Sequence, residues 1–198
     1  MQKAVAAGAG SLEGKVAIVT GGGRDIGRAC ALRLAAAGAA VGINYHSSST
    51  GADSAVAEIT AAGGRAFALQ GDMTASADVE ALVAKAVADF GGGVDVLAHV
   101  TGGLVARKTV AEMDIEHWDY VMALNATSFV HAIKAVLPHM GAGGSIVGIA
   151  SQAGRDGGGA GAVGLSCREA TGTRKSGAEA NSIRSPGSSS EGYALEPV

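Results

Sequence analysis

The residues VAIVTGGGRDIG at positions 16–27 say more about the fold than any other part of this chain. The apolar run at 16–19 predicts a short buried strand, the glycines at 21–23 predict a turn, and Asp25 marks the start of a helix. Glycine permits positive φ angles and close approach of a ligand to the backbone, and the free N–H groups of a helix N-terminus attract anions. This strand–turn–helix unit therefore predicts a site for the pyrophosphate of a dinucleotide.

Composition limits the class of protein. The chain has 198 residues, which suits a single domain, and 47% of them are hydrophobic but only 4% aromatic, so the core must consist of Ala, Val, Leu and Ile. The net charge of -3 predicts no basic face and hence no nucleic-acid partner. Cys30 and Cys167 lack metal-ligand spacing, which predicts no metal site and reduced thiols in a cytoplasmic protein.

The sequence gives no sign of a membrane segment. No apolar run reaches the ~18 residues that a spanning helix needs, so we expect no membrane partner. The first 14 residues are rich in Ala and Gly and lack a strongly apolar centre, which predicts a loose arm and not a signal peptide.

Short apolar segments alternate with helical patterns along most of the chain. The predicted strands are Lys15–Thr20, Ala39–Asn44, Arg65–Gln70, Val94–Val100 and Ser145–Ala150. The predicted helices are Asp25–Ala37, Gly51–Ala62, Ser76–Phe90 and Asp114–His139, with Gly38 ending the first, Ser76 capping the third and Pro138 interrupting the fourth. This alternation predicts an α/β fold, a Rossmann-like doubly wound parallel sheet with three α/β/α layers, incomplete at the C-terminus.

The pattern changes after residue 164. Residues 165–198 have no apolar period and are dominated by Ser, Gly and charged residues. We therefore divide the chain into a dinucleotide-binding domain at 1–164 and an irregular or disordered tail at 165–198.

These residues together resemble the short-chain dehydrogenase/reductase family, and most closely its 3-oxoacyl-acyl-carrier-protein reductase-like members. The resemblance runs from Leu12 to Gly164, and TGGGRDIG is taken as the family's T-G-x-x-x-G-x-G motif. It implies that Asp72 meets the adenine, that Asn125 is the asparagine of the catalytic tetrad and that Ser151 is the catalytic serine. HVTGG at 99–103 stands where the family has N-N-A-G and keeps only the glycine, Gly102.

Each of these three polar residues also has a purely structural explanation. Asn125 could tie down a helix, Ser151 could cap a strand end, and Asp72 could form an Asx turn. Their order along the chain, at the carboxyl ends of successive strands or in the facing helix, favours the functional interpretation.

The resemblance implies hydride transfer between a nicotinamide and a carbonyl or alcohol carbon. It predicts cofactor binding by Gly21, Gly23, Arg24, Asp25, Ile26, Gly27, Asn44, Asp72, Met73 and Gly102. The end of the second strand, NYHS at 44–47, has no acid for a ribose 2′-hydroxyl, and Arg24 could pair with a 2′-phosphate, so NADP(H) is predicted over NAD(H). The implied substrate is a small carbonyl compound or an acyl thioester. Relatives commonly pair as homo-oligomers through the fourth helix and the helix after the tyrosine, and the second of these is not recognisable in this sequence.

One departure from the family concerns catalysis. The chain has no Y-x-x-x-K motif, and GLSCREA at 164–170 occupies its place. One choice of codons for this segment, read one base later, encodes AYRAAK, which contains the motif. A frame-disturbed or truncated gene is one explanation and a genuine variant is the other. The leading hypothesis is thus an NADP(H)-dependent oxidoreductase, and the alternative is an inactive nucleotide-binding remnant without the Tyr/Lys pair.

Overall fold

The computed structural model describes residues 12–151, 153 and 181–184. They form a six-stranded sheet with the order β3-β2-β1-β4-β5-β6. The first five strands are parallel, and β6 pairs antiparallel with β5. The strands are β1 Val16–Thr20, β2 Ala40–Tyr45, β3 Ala66–Gln70, β4 Val96–His99, β5 Ser145–Gly148 and β6 Asn181–Arg184.

The first three helices agree with the sequence pattern within two residues at each end. The helices are α1 Asp25–Ala36, α2 Ser49–Ala61, α3 Ser76–Phe90, α4 Ile115–Met122 and α5 Ser128–Val136. Gly38 has a φ of +102°, as the predicted end of α1 requires. The predicted cap of α3 is wrong, because Ala75 occupies the N-cap position and Ser76 is already helical.

The fourth predicted helix is divided into four consecutive helical segments. A π-helix at Ala123–Thr127 separates α4 from α5, and a 3-10 turn at Leu137–His139 follows α5. Pro138 lies in that turn, so the α-helical hydrogen bonds end before it. By length and composition the stretch Ile115–His139 could cross a membrane, with a mean hydropathy of 1.3. Here it covers the sheet and buries Val121, Ala132 and Val136.

The core consists of two layers that share the central strand β1. Val16 and Ile18 pack with α3 and α5 on one face, whereas Ala17 and Val19 pack with α1 and α2 on the other. Because successive side chains of a strand alternate between faces, a strand buried on both sides must be apolar throughout. The predicted three-layer Rossmann-like arrangement is confirmed.

The C-terminal part differs from the prediction where the structure describes it. Residues 181–184 form the edge strand β6, although the sequence pattern indicated no strand after 164. A four-residue strand with two Ser or Asn positions shows no apolar alternation that a sequence pattern could reveal. Two parts of the sequence prediction lie outside the described residues. They are the segment 164–170, which stands in the place of Y-x-x-x-K, and most of the tail.

Candidate functional site

The turn after β1 brings its backbone unusually close to the start of α1. Gly21 has a φ of +64°, and a Cβ at Gly27 would collide with the Gly21 carbonyl oxygen and lie 2.9 Å from Gly22 Cα. Only glycine fits at both positions. The turn and the first residues of α1 border a cavity, so a ligand there would meet the first N–H groups of the helix.

Asn44 at the end of β2 holds this turn in place. Its Oδ1 accepts a hydrogen bond from Gly21 N at 3.2 Å, and its Nδ2 donates to the Gly71 carbonyl at 2.9 Å. Its own backbone carbonyl accepts a hydrogen bond from Gly22 N at 2.7 Å. Asn44 is only 2% exposed, so it joins the ends of β1, β2 and β3 from beneath the turn.

Asp25 requires a correction to the motif assignment. In T-G-x-x-x-G-x-G the second glycine falls at residue 25, so TGGGRDIG carries an aspartate where the motif has glycine. The structure shows why glycine is favoured there, because Asp25 has a φ of +46°. Its carboxylate is 82% exposed and lies 3.8 Å from the Nε of Arg24, which is 78% exposed.

Asp72 forms the turn that its structural interpretation predicts. Its Oδ1 accepts hydrogen bonds from the backbone N and from the hydroxyl of Thr74, both at 2.8 Å, and its own N–H donates to Asp78 at 2.7 Å. This Asx turn shapes the chain between β3 and α3.

Asn125 in the π-helix anchors the loop that follows β4. Its Oδ1 accepts from Gly103 N at 2.8 Å, and its Nδ2 donates to the carbonyls of Gly103 and Val121, both at 2.9 Å. A Cβ on Gly102 would lie 2.9 Å from the same Oδ1. Since both amide hydrogens of the 1% exposed side chain are used, Asn125 acts here as a positioning group. Short π-helices often occur at functional sites, and this one places Asn125 against the loop.

The buried side chain of His99 connects the π-helix region to β1. Its structural role was not predicted from the sequence. His99 Nδ1 lies 3.0 Å from Thr20 Oγ1, and Nε2 lies 3.1 Å from Ser128 Oγ. The Ser128 hydroxyl donates to the Leu124 carbonyl at 2.7 Å, so in the neutral ring the hydrogen is on Nε2 and Nδ1 accepts from Thr20. Its only sequence signal was the departure from N-N-A-G at this position.

Thr20 completes the network at the end of β1. Its Oγ1 accepts the backbone N–H groups of Val100 and Thr101, both at 3.2 Å. The loop after β4 is thereby fixed against the glycine turn, with the Thr101 backbone close enough that a Cβ on Gly21 would lie 3.1 Å from its N.

These elements border a cleft of about 360 Å³ at the carboxyl ends of the strands. Every predicted cofactor-binding residue lines it, namely Gly21, Gly23, Arg24, Asp25, Ile26, Gly27, Asn44, Asp72, Met73 and Gly102. The segment 45–48, Val100, Thr101, Tyr120 and Leu124 line it as well, and Tyr120 was not predicted there.

The two predicted catalytic residues are not part of this wall. Asn125 lies behind the loop after β4, and Ser151, beyond the end of β5, accepts a hydrogen bond from Ala153 N at 3.2 Å. Among the residues that the structure describes, no group of three His, Cys, Asp or Glu side chains could hold a metal ion. Cys30 lies on α1, and burial raises the pKa of its thiol.

Comparison with known proteins agrees with this geometry. The sequence model of the short chain dehydrogenase family matches residues 15–164. The chain belongs to the short-chain dehydrogenase family. An uncharacterized oxidoreductase of Methylorubrum extorquens is 44% identical over 140 residues, which are 71% of this chain and 56% of that protein. A 3-oxoacyl-acyl-carrier-protein reductase of Synechocystis is 40% identical over 146 residues, 73% of this chain and 58% of the relative.

A solved short-chain dehydrogenase has the same fold. The enzyme of Burkholderia cenocepacia in complex with NADP superimposes with a TM-score of 0.76 at 35% identity, covering 80% of this chain and 64% of that one. The present short-chain dehydrogenase chain thus spans somewhat more than half the length of these relatives.

Proposed function

We propose that this chain binds NADP(H) in the cavity at the carboxyl ends of the strands and acts as an oxidoreductase on a carbonyl or alcohol substrate. The observation that carries the proposal is the glycine turn at the cavity wall, where a Cβ on Gly21 or Gly27 would meet the protein's own backbone, so that only glycine lets the turn pack against the start of α1. The volume of about 360 Å³ lies within the range of cofactor sites, roughly 300–1,000 Å³. A 3-oxoacyl thioester is the substrate class that the resemblance favours.

The charge around the end of β2 supports NADP(H) over NAD(H). Tyr45, His46, Ser47 and Ser48 line the cavity there and include no carboxylate to bind a ribose 2′-hydroxyl. Arg24, exposed on the same wall, offers a guanidinium for a 2′-phosphate. NAD(H) is the alternative, and titration with both cofactors decides between them.

The chain's own residues would perform binding and orientation. The dinucleotide, when bound, supplies or accepts the hydride. The turn at Gly21 to Gly27 would hold the pyrophosphate, with Asn44 keeping the turn in shape. Thr20 and Asn125 would fix the loop beside the reacting end of the cavity. The Ser151 hydroxyl is proposed to polarise the substrate oxygen.

Binding and chemistry need separate tests. Fluorescence titration of the purified chain with NADPH and NADH measures both dissociation constants, and we expect tighter binding of NADPH. Equal or tighter binding of NADH would contradict the NADP(H) assignment, and no binding of either would contradict the cofactor proposal.

The chemistry is tested by turnover of ketones and 3-oxoacyl thioesters. The unchanged chain is compared with a variant carrying Leu165→Tyr and Glu169→Lys. A third protein is encoded by a gene in which the reading frame is shifted back from residue 164 onward. Loss of a positioned acid typically costs ~10²–10⁴ in rate, so we expect the repaired chain to be faster by that order. Equal turnover would show that the proton is transferred by another group. No turnover by any of these chains would favour the inactive remnant.

We also propose that the protein is cytoplasmic. We further propose that two copies of the chain pair with each other. Ile115, Val130 and Leu137 on the α4–α5 stretch are 73%, 52% and 51% exposed. These exposed apolar side chains along the α4–α5 stretch and the turn that follows it support a homo-oligomer through this part of the chain. The molar mass measured by light scattering tests this point.

A further inference from the structure

Asp25 is in the left-handed backbone region at the mouth of the proposed phosphate site. Its φ is +46°, and within the described residues Val105 is the only other residue except glycine with a positive φ. Aspartate tolerates this region better than most residues, but glycine adopts it without cost. The sequence thus retains a carboxylate where the local backbone favours a glycine.

The carboxylate also lies where an anion would bind. Asp25 is the first residue of α1, and it lines the cavity together with Gly21, Gly23 and Gly27. A negative charge in the first turn of a helix interacts favourably with its dipole. A phosphate bound at the same helix end would use that same field and would be repelled by the carboxylate.

Arg24 links this charge to cofactor choice. Its Nε lies 3.8 Å from the Asp25 carboxylate, and both side chains are about four-fifths exposed, so the pair is loose and contributes little to stability. The carboxylate nevertheless offsets the one guanidinium on this wall that could meet a 2′-phosphate.

We propose that Asp25 limits the affinity of the cavity for dinucleotides and lowers its preference for NADP(H) over NAD(H), by repelling the pyrophosphate and by neutralising Arg24. This inference rests on the proposed cofactor-binding function. Asp25 is thus a specificity-determining residue, and removing its charge should tighten binding of both cofactors and of NADPH more than NADH.

Two substitutions separate charge from backbone conformation. Asp25→Asn removes the charge but keeps a side chain that tolerates positive φ, whereas Asp25→Gly removes the charge and also relieves the backbone. In water-like surroundings, a unit charge about 6 Å from one phosphate charge changes affinity about threefold. We expect both variants to bind NADH about threefold and NADPH about tenfold more tightly than the unchanged chain at low salt.

Three controls sharpen the measurement. Glu80→Gln removes an exposed carboxylate of α3 outside the cavity wall and should leave both dissociation constants unchanged. In an Arg24→Ala background, Asp25→Asn should tighten NADPH and NADH binding by the same factor. High salt should reduce every gain, because it screens exposed charges.

Every outcome of these titrations either supports or overturns the inference about Asp25. If the unchanged chain binds a dinucleotide and Asp25→Asn does not bind more tightly, the inference is wrong while the cofactor proposal stands. A gain for Asp25→Gly alone assigns the effect to the backbone and also overturns it. If neither the unchanged chain nor Asp25→Asn binds, both proposals fall. Binding by Asp25→Asn alone would support the effect of the Asp25 charge and would contradict the proposal that the unchanged chain binds the cofactor.

Discussion

In the glycine turn after β1 the charged side chains of Arg24 and Asp25 border the cavity, whereas at the end of β4 and in the helix that faces it the polar side chains turn into the protein and bind one another. Arg24 and Asp25 are about 80% exposed on the cavity wall. His99, Asn125 and Ser128 are at most 1% exposed, and each makes hydrogen bonds within the protein. In the first region charged side chains are accessible to a ligand. In the second region the polar groups form hydrogen bonds that hold a loop and a π-helix in place.

The difference shows that a side chain in a motif can shape a site through hydrogen bonds within the protein. Asn125 belongs to the second region although the resemblance assigns it to the catalytic tetrad, and Asn44 plays the same role beneath the first. Substitutions in the first region should therefore affect binding more than stability, and those in the second should do the reverse.

The largest expected effect is in the first region, at Gly27. Gly27→Val would place a side chain against the Gly21 carbonyl and 2.9 Å from Gly22 Cα, so the turn must shift. We expect cofactor binding to fall below detection, measured by NADPH titration of the folded protein. Gly141→Ala is the matched control, because its Cβ would meet nothing within 4 Å. Unchanged affinity in folded Gly27→Val protein would refute the role of the turn.

The second effect tests the inward-facing region. Asn125→Ala removes the partners of Gly103 N, Gly103 O and Val121 O. A buried backbone group without a partner costs roughly 1–3 kcal/mol, and of the three groups only the Val121 carbonyl is fully buried, so we expect a loss of about 2–4 kcal/mol in the free energy of unfolding. Urea denaturation measures it, and the exposed neighbour Thr127→Ala should change stability by about 0.5 kcal/mol or less. A stable Asn125→Ala protein would show that this side chain does not hold the loop.

A somewhat smaller effect is expected at His99. His99→Phe keeps the ring that packs 5.0 Å from Phe129 but loses the hydrogen bonds to Thr20 and Ser128. We expect a loss of roughly 1–3 kcal/mol in the free energy of unfolding. Ser128→Ala in a double-mutant cycle with His99→Phe should be non-additive. Additive losses would mean that the two side chains are not coupled.

The sequence predicted β1 to β5 and the glycine turn because both depend on local patterns, whereas the resemblance to the family supplied most residues of the cavity wall. Apolar runs identified β1 to β5, and glycine spacing identified the turn. The inward-facing network depends on which side chains meet across β1, β4 and α5, and no local pattern encodes the contact of Thr20 with His99. The position of Tyr120 in the cavity wall was not predicted either, because it depends on how α4 packs against the rest of the protein. The π-helix was missed because its residues fit an ordinary helical period.

The smallest expected effect lies in neither region but at the start of α4, and it depends on pH. Asp114 caps this helix, with Oδ1 accepting from His117 N at 2.7 Å and Oδ2 lying 2.6 Å from Lys108 Nζ. The bond to Lys108, followed by that to His117, lowers the pKa of Asp114 from 3.8 to about 2. A lowered pKa in the folded state means that the ionised form stabilises the fold above the unfolded pKa and that this stability is lost as the pH falls from about 4 to 2.

Asp114→Ala should therefore lower Tm slightly at pH 7, and its difference from the unchanged chain should shrink below pH 4. The side chain is exposed, so solvent screening keeps the effect small. Asp114→Asn retains an oxygen for the cap but has no charge, so position 114 should keep part of its contribution to stability and that contribution should not change with pH in this range. Thermal unfolding followed by circular dichroism between pH 2 and 7 measures all three proteins. A constant difference between Asp114→Ala and the unchanged chain over that range would show that the ionised carboxylate contributes nothing beyond the shape of the cap.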